Sequence, residues 1–116
     1  MRAPSKKINQ TLLNQIKKTL AQTLTDFKSL NDTDAFLKDF LTEGEYETFA
    51  KRLAIIYWLR KSRSYANIKE NLKVSSATIA SANDLINKKG VKEAVRLLEA
   101  EEWANKWSEK IKKFVK

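Results

Sequence analysis

Five short polar side chains fall within nine consecutive residues: Ser75, Ser76, Thr78, Ser81 and Asn83. Hydroxyl and carboxamide groups of this reach can hydrogen-bond a base edge or a phosphate oxygen. Seven basic residues surround them. Arg60, Lys61 and Arg63 come before, Lys69 and Lys73 stand closer, and Lys88 and Lys89 follow. Such a cluster suits phosphate neutralisation with release of counterions. The plain alternative is the solvated polar and basic surface of a small helical protein.

The stretch that must position these groups is Tyr65 to Ile86. Tyr65, Ile68 and Leu72 recur at spacings of three and four, which predicts a short helix. Lys73-Val74-Ser75 interrupts it, and Ser75 is a good N-cap for a second helix from Ser76. On that second helix Ile79, Ala82 and Leu85 or Ile86 form the inner side. Relative to Ile68, the apolar residues Leu72, Val74, Ile79 and Ala82 lie at +4, +6, +11 and +14. Two short helices crossing steeply over a small shared core need this spacing, and a helix-turn-helix is built that way. Lys73 holds the turn position that glycine usually takes, where a left-handed residue with a side chain costs roughly 1 kcal/mol.

Composition removes several kinds of chemistry. The 116 residues contain no cysteine and no histidine, so disulfides, thiol catalysis, zinc fingers and imidazole bases are excluded together. Two glycines and one proline in a chain 42% hydrophobic favour helices over sheets. No glycine-rich phosphate loop or nucleophile–base pair occurs, and Glu43, Glu45 and Glu47 suit a helix start better than a catalytic pair. Neither an enzyme nor a metal site is expected. No secretory signal or membrane-spanning run is visible, so the cytoplasm is the expected compartment. The net charge of +9 is uneven: residues 1–30 and 60–90 carry +5 each, residues 31–59 carry −3, and residues 91–116 carry +2.

In order, residues 1–7 read as a flexible basic arm. Residues 8–61 read as dimerisation helices, 62–90 as the helix-turn-helix and 91–116 as a C-terminal helix, together one domain. Ile8, Leu12, Ile16, Leu20, Leu24 and Phe27 predict a first helix with a drifting stripe that packs along a long partner surface. Asn31 to Asp34 is expected to end it and cap the next, with Phe36, Leu37, Phe40 and Leu41 inward. Thr42-Glu43-Gly44-Glu45 has the form of a capping box opening a helix to about Lys61. Its apolar residues from Tyr46 to Leu59 surround the axis, as at the centre of a fold or of a dimer. Gly90 is expected to cap the helix-turn-helix at its C-terminal end. The last helix carries Ala94, Val95, Leu98, Trp103 or Ala104, Trp107, Ile111 and Phe114. Its lysine-rich end also fits a membrane-surface helix, but five glutamates from Glu93 to Glu109 oppose anionic lipid. Packing on the core or on a partner subunit is the better account.

From Leu41 to about Gly90 the chain resembles the Trp repressor superfamily. The resemblance is carried by Leu41-Thr42 with Glu45 and Glu47, Arg52, Ser64-Tyr65-Ala66 with Ile68, Lys69 to Leu72, and Ala77-Thr78-Ile79 with Asn83. It implies an all-α fold, an intertwined homodimer, and paired reading heads about one DNA turn apart on a near-palindromic operator. For a ligand, it implies Arg52 and Thr42 as binding residues. The family's second ligand arginine falls at about Ser81, between Ala80 and Ala82, so the two-armed carboxylate clamp is missing. No cofactor is expected, tryptophan included. A different small-molecule corepressor stays open, as does a plain ion pair of Arg52 with Glu45, Glu47 or another carboxylate.

The function expected from these residues is a dimeric, sequence-specific regulator of transcription bound to double-stranded DNA, acting as a repressor. Ser75, Ser76, Thr78, Ser81 and Asn83 are its candidate readers. Arg60, Lys61, Arg63, Lys69, Lys73, Lys88 and Lys89 are its candidate phosphate contacts. The alternative is a helical dimerisation or protein-interaction module with a degenerate helix-turn-helix.

Overall fold

The computed structural model describes the backbone of residues 7–114 and the side chains of residues 7–102. Among them are six α-helices and no strand: α1 Gln10–Asp26, α2 Leu30–Phe40, α3 Glu43–Arg60, α4 Tyr65–Leu72, α5 Ser76–Asn83 and α6 Lys89–Phe114. The fold class is all-α. The basic arm expected over residues 1–7 lies, but for Lys7, outside the described residues. The chain divides between residues 46 and 47 into two compact units.

In the first unit each helix begins on a short polar side chain. Asn9 accepts from the Leu12 N–H at 3.1 Å, so α1 starts at Gln10, two residues after the expected Ile8. Ser29 accepts from the Asp32 N–H at 3.1 Å and opens α2. Asn31 to Asp34 therefore lies inside α2 and does not cap it. The expectation failed because Ser29 took the cap, while Asp32 suits the positive end of the helix dipole. The Thr42 capping box is present in both directions. Thr42 N–H donates to Glu45 Oε1 at 2.8 Å, and Glu45 N–H donates to the Thr42 hydroxyl at 3.1 Å. The first bond holds the Glu45 carboxyl below its usual range. The Tyr46 hydroxyl donates to Asp34 at 2.7 Å, and Lys38 pairs with the same carboxylate at 2.9 Å. Both keep Asp34 ionised to lower pH, the Tyr46 bond most.

No described residue up to 46 is buried. Ile8, ahead of α1, and Leu12, Ile16 and Leu20 along one side of it stay 42–48% exposed. This unit is a set of well-started helices without a core of its own.

The second unit has a core. Ile55 and Ile56 of α3, Ile68 of α4, Ile79 and Ala82 of α5 and Val95 of α6 are buried together. Leu72, Val74, Leu85 and Ile86 pack around them. The spacing from Ile68 to Ala82 thus produces the shared core expected of it. Only Ile55 and Ile56 of the apolar α3 are buried, while Phe49 and Leu53 remain open. Ser62 in left-handed conformation ends α3, with Ser62 N–H on the Leu59 carbonyl and Arg63 N–H on the Trp58 carbonyl.

Gly90 is not a C-cap. Successive short-range bonds, Leu85 N–H to Ala82, Ile86 N–H to Asn83 and Lys88 N–H to Leu85, end α5 without a left-handed residue. α6 then starts at Lys89 and takes Gly90 into its first turn at negative φ.

Candidate nucleic-acid interface

The two helices α4 and α5 are joined by Lys73, Val74 and Ser75. Ser64 caps α4 by accepting from Asn67 N–H at 3.1 Å, and Ser75 caps α5 by accepting from Thr78 N–H at 3.1 Å. Lys73 stands between them at φ 57°, ψ 51°, its N–H on the Lys69 carbonyl. The left-handed turn is therefore made by a residue that carries a side chain. Ile68 and Ile79 are fully buried at the crossing, which fixes the rotation of α5 about its axis.

That rotation separates the five candidate readers. With Ile79 and Ala82 inward, Thr78 and Ser81 fall on one flank of α5 and Ser76 and Asn83 on the other. Between the flanks, farthest from the core, stand Ala77 and Ala80, both exposed. Residue type alone hid these alanines. Their helical spacing from Ile79 and Ala82 places them, and a methyl group there can meet a thymine methyl. Ser75 is committed to its cap, and its hydroxyl lies 2.9 Å from that of Thr78. The side chains of Ser76, Ser81 and Asn83 make no hydrogen bond among the described residues.

The basic residues also divide. Arg60 Nε lies 3.9 Å from Glu99 and Lys61 Nζ 3.2 Å from Glu102, both glutamates on α6. The Arg63 guanidinium lies 4.1 Å above the Trp58 ring and donates to Asn67 at 3.4 Å. Lys69, Lys73, Lys88 and Lys89 are exposed and make no ion pair among the described residues. Lys88 and Lys89 stand at the start of α6, whose first turn holds no acidic residue.

Between α3 and α5 runs a cleft of about 740 Å³. Thr48, Lys51, Arg52 and Ile55 line one wall, and Lys73, Ser75, Thr78 and Ser81 line the other. Arg52 reaches it without a carboxylate partner. Glu47 pairs with Lys51 at 3.3 Å, Glu45 is held in its capping box, and the Arg52 guanidinium lies 5.5 Å over the Phe49 ring. The simple ion pair expected as one fate of Arg52 is absent from the described residues. Thr42 belongs to the first unit, where its hydroxyl is used as a cap. Sequence reading missed Thr48 and Lys51, which sit one turn and one residue before Arg52.

The sequence model of the family described as Trp repressor protein matches residues 15–101, three quarters of the chain. The chain belongs to the Trp repressor family. That family is one of helix-turn-helix regulators and not of enzymes. The match takes in α3, α4 and α5 whole and ends inside α6. No individual curated protein and no solved structure matches the chain. Among the described residues no helix is long and apolar enough to cross a membrane.

Proposed function

We propose that this Trp repressor family member is a sequence-specific DNA-binding repressor of transcription that works as a homodimer on a near-palindromic operator. One observation carries the reading. An α4–turn–α5 unit is fixed on the Ile55–Ile56 core and faces outward with small polar groups beside lysines that make no ion pair among the described residues. In this reading Thr78, Ser81, Ser76 and Asn83 meet base edges or nearby phosphates from the two flanks of α5. Ala77 and Ala80 let the helix approach the groove floor. Lys69, Lys73, Lys88 and Lys89 hold the DNA backbone. Arg60 and Lys61 act there only after leaving Glu99 and Glu102.

Support for the homodimer comes from the first unit. Helices without a core and an apolar stripe open along α1 call for a second surface to bury them. The resemblance to a family of intertwined dimers supports another copy of the chain as that surface.

Tryptophan is not expected as corepressor. The α5 wall of the cleft offers the hydroxyls of Ser75, Thr78 and Ser81, and only Arg52 brings a guanidinium. A carboxylate would find one arm of a clamp.

The decisive experiment is selection of bound sequences from a random duplex pool at near-physiological salt. An enriched near-palindrome, with half-sites about one helical turn apart, is expected without added tryptophan. Salt-sensitive binding with no enriched sequence would overturn the operator reading. It would favour the interaction module, whose support is that Arg60, Lys61 and Arg63 are engaged within the chain.

A further inference from the structure

The cleft between α3 and α5 gathers more charge and more hydroxyl groups than a plain crossing of two helices needs. Among the described residues that line it, Lys51, Arg52 and Lys73 are basic and Glu47 alone is acidic, a net charge of +2. Glu47 is taken up by Lys51 at 3.3 Å, in a pair open enough for solvent to screen. Four hydroxyls join these charges, Thr48 from α3 and Ser75, Thr78 and Ser81 from the opposite wall.

The threonines separate this cleft from ordinary helix surface. On α1 and α2, Thr19, Thr23, Thr25 and Thr33 each donate to the carbonyl four residues earlier, at 2.8–3.2 Å. Thr48 has the Gly44 carbonyl in the same relation, yet its hydroxyl makes no hydrogen bond among the described residues. Ser81 makes none either. Ser75 and Thr78 share one bond at 2.9 Å in which either can donate, so one of their two hydroxyl protons is left over. Three hydroxyl protons thus stand uncommitted on the walls of a cationic cleft.

The geometry of the donors decides which anion they suit. A planar carboxylate is held best by arginine forks, and Ser81 stands where the resemblance would put the second one. A tetrahedral phosphate is satisfied by point charges and hydroxyls that arrive from several directions, and lysine, serine and threonine supply these. The net +2 matches a phosphate monoester, which carries about −1.5 to −2 near pH 7. It exceeds the single charge of a diester such as the DNA backbone. A cleft of about 740 Å³ is larger than a bare anion fills, and Ile55, Ala82 and Leu85 offer apolar contact to the rest of a small molecule.

We propose that this cleft binds a phosphorylated small molecule, its phosphate monoester held by Lys51, Arg52, Lys73, Thr48, Thr78 and Ser81. Lys73, Thr78 and Ser81 are also the residues given to DNA, so ligand and operator exclude each other and the ligand releases the protein from its site. Each then weakens the other by the same factor. The release rests on the proposed function, but the binding does not.

Calorimetry of the full chain with glucose 6-phosphate and with phenyl phosphate tests the site without DNA. Both are expected to bind, and glucose, phenol and dimethyl phosphate at matched ionic strength are not. Arg52→Gln and Lys51→Gln should each lower the affinity about tenfold, or about 1.4 kcal/mol. Arg52→Lys should keep most of it, because a point charge suffices for phosphate. Lys92→Gln removes the same charge from α6, outside the lining, and should change nothing. The chain has no histidine, so a rise in affinity between about pH 5 and pH 7 reports the second ionisation of the phosphate. No binding of either phosphate, or an equal loss in Lys92→Gln, would overturn the site. Equal binding of dimethyl phosphate would give the cleft to the DNA backbone, and a preference for tryptophan would give it to a carboxylate. In duplex titrations at fixed ionic strength, glucose 6-phosphate should weaken the native complex and affect Arg52→Gln less. Phosphate binding without that effect would overturn the release. Phosphate binding by a protein that recognises no duplex would sink the proposed function and leave the site standing.

Discussion

Replacing Lys73 by glycine should move stability and DNA binding in opposite directions. Lys73 holds φ 57°, ψ 51° between α4 and α5. A side chain in that conformation costs about 1–2 kcal/mol, which glycine removes. Glycine also frees the unfolded chain, which offsets about 0.4–1 kcal/mol of the gain. The net expectation is a protein about 0.5–1 kcal/mol more stable, or roughly 2–5 °C higher in Tm for a domain of this size. At the same time one ammonium, without an ion pair among the described residues, leaves the α4–α5 face. If it neutralises a phosphate, affinity falls at low salt and the slope of log K against log salt shrinks by about 1. Urea unfolding at one fixed protein concentration measures the first effect, because association would otherwise change the apparent stability. Titration of a labelled operator duplex at several salt concentrations measures the second. Lys73→Asn is the control, since it removes the charge and tolerates the left-handed turn. A glycine variant less stable than the native chain would refute the strain argument. An unchanged salt slope would remove Lys73 from the backbone contacts and leave the turn argument standing.

Thr78→Ala is expected to weaken operator binding more than random-duplex binding, whereas Lys88→Ala weakens both alike and lowers the salt slope by about 1. Equal losses from the two would reject their separate roles. Ile16→Asp, at the middle of the α1 stripe, should shift the chain toward a monomer in sedimentation at micromolar protein. Ile79→Ala should destabilise by about 2–5 kcal/mol in urea unfolding, because a fully buried side chain at the α4–α5 crossing is cut to a methyl. Acid should loosen the start of α3. The folded Glu45 carboxyl titrates below its ordinary 4.5, so its contribution is complete above that value and is lost as pH falls through the lowered one. Circular dichroism during acid titration should show a smaller loss over that window in Glu45→Gln.

The second unit was legible because its signals are local. Ile68, Leu72, Val74, Ile79 and Ala82 could satisfy their spacing in few other ways, and Ser75 had a free N–H to cap. The Thr42 box was legible for the same reason. Helix ends set by competition between neighbouring caps were harder to read. Asn31 to Asp34 resembled a terminator, but Ser29 captured the start of α2. Gly90 resembled a stop, but three short-range carbonyl bonds had already ended α5. At the candidate site, residue types named the basic cluster, but only tertiary packing showed that Arg60 and Lys61 face α6. The flanks of α5 also needed the burial of Ile79 and Ala82 to set their orientation. Ala77 and Ala80 carried no polar signal.

Val95 completes a cluster that Ile55 begins, and the two are separated along the chain by both helices of the reading head. Synthesis at about 5–20 residues per second places roughly 2–8 s between their appearances. For the last part of that interval, about 0.6–2.4 s between Asn83 and Val95, α4 and α5 exist without the side chain that closes their core. A nascent chain halted before residue 95 would therefore carry the reading helices with Ile55, Ile68 and Ile79 open to chaperones and proteases. On the proposed reading, competence to meet DNA would arrive only with the first turns of α6, because Val95 closes the core that holds α4 and α5.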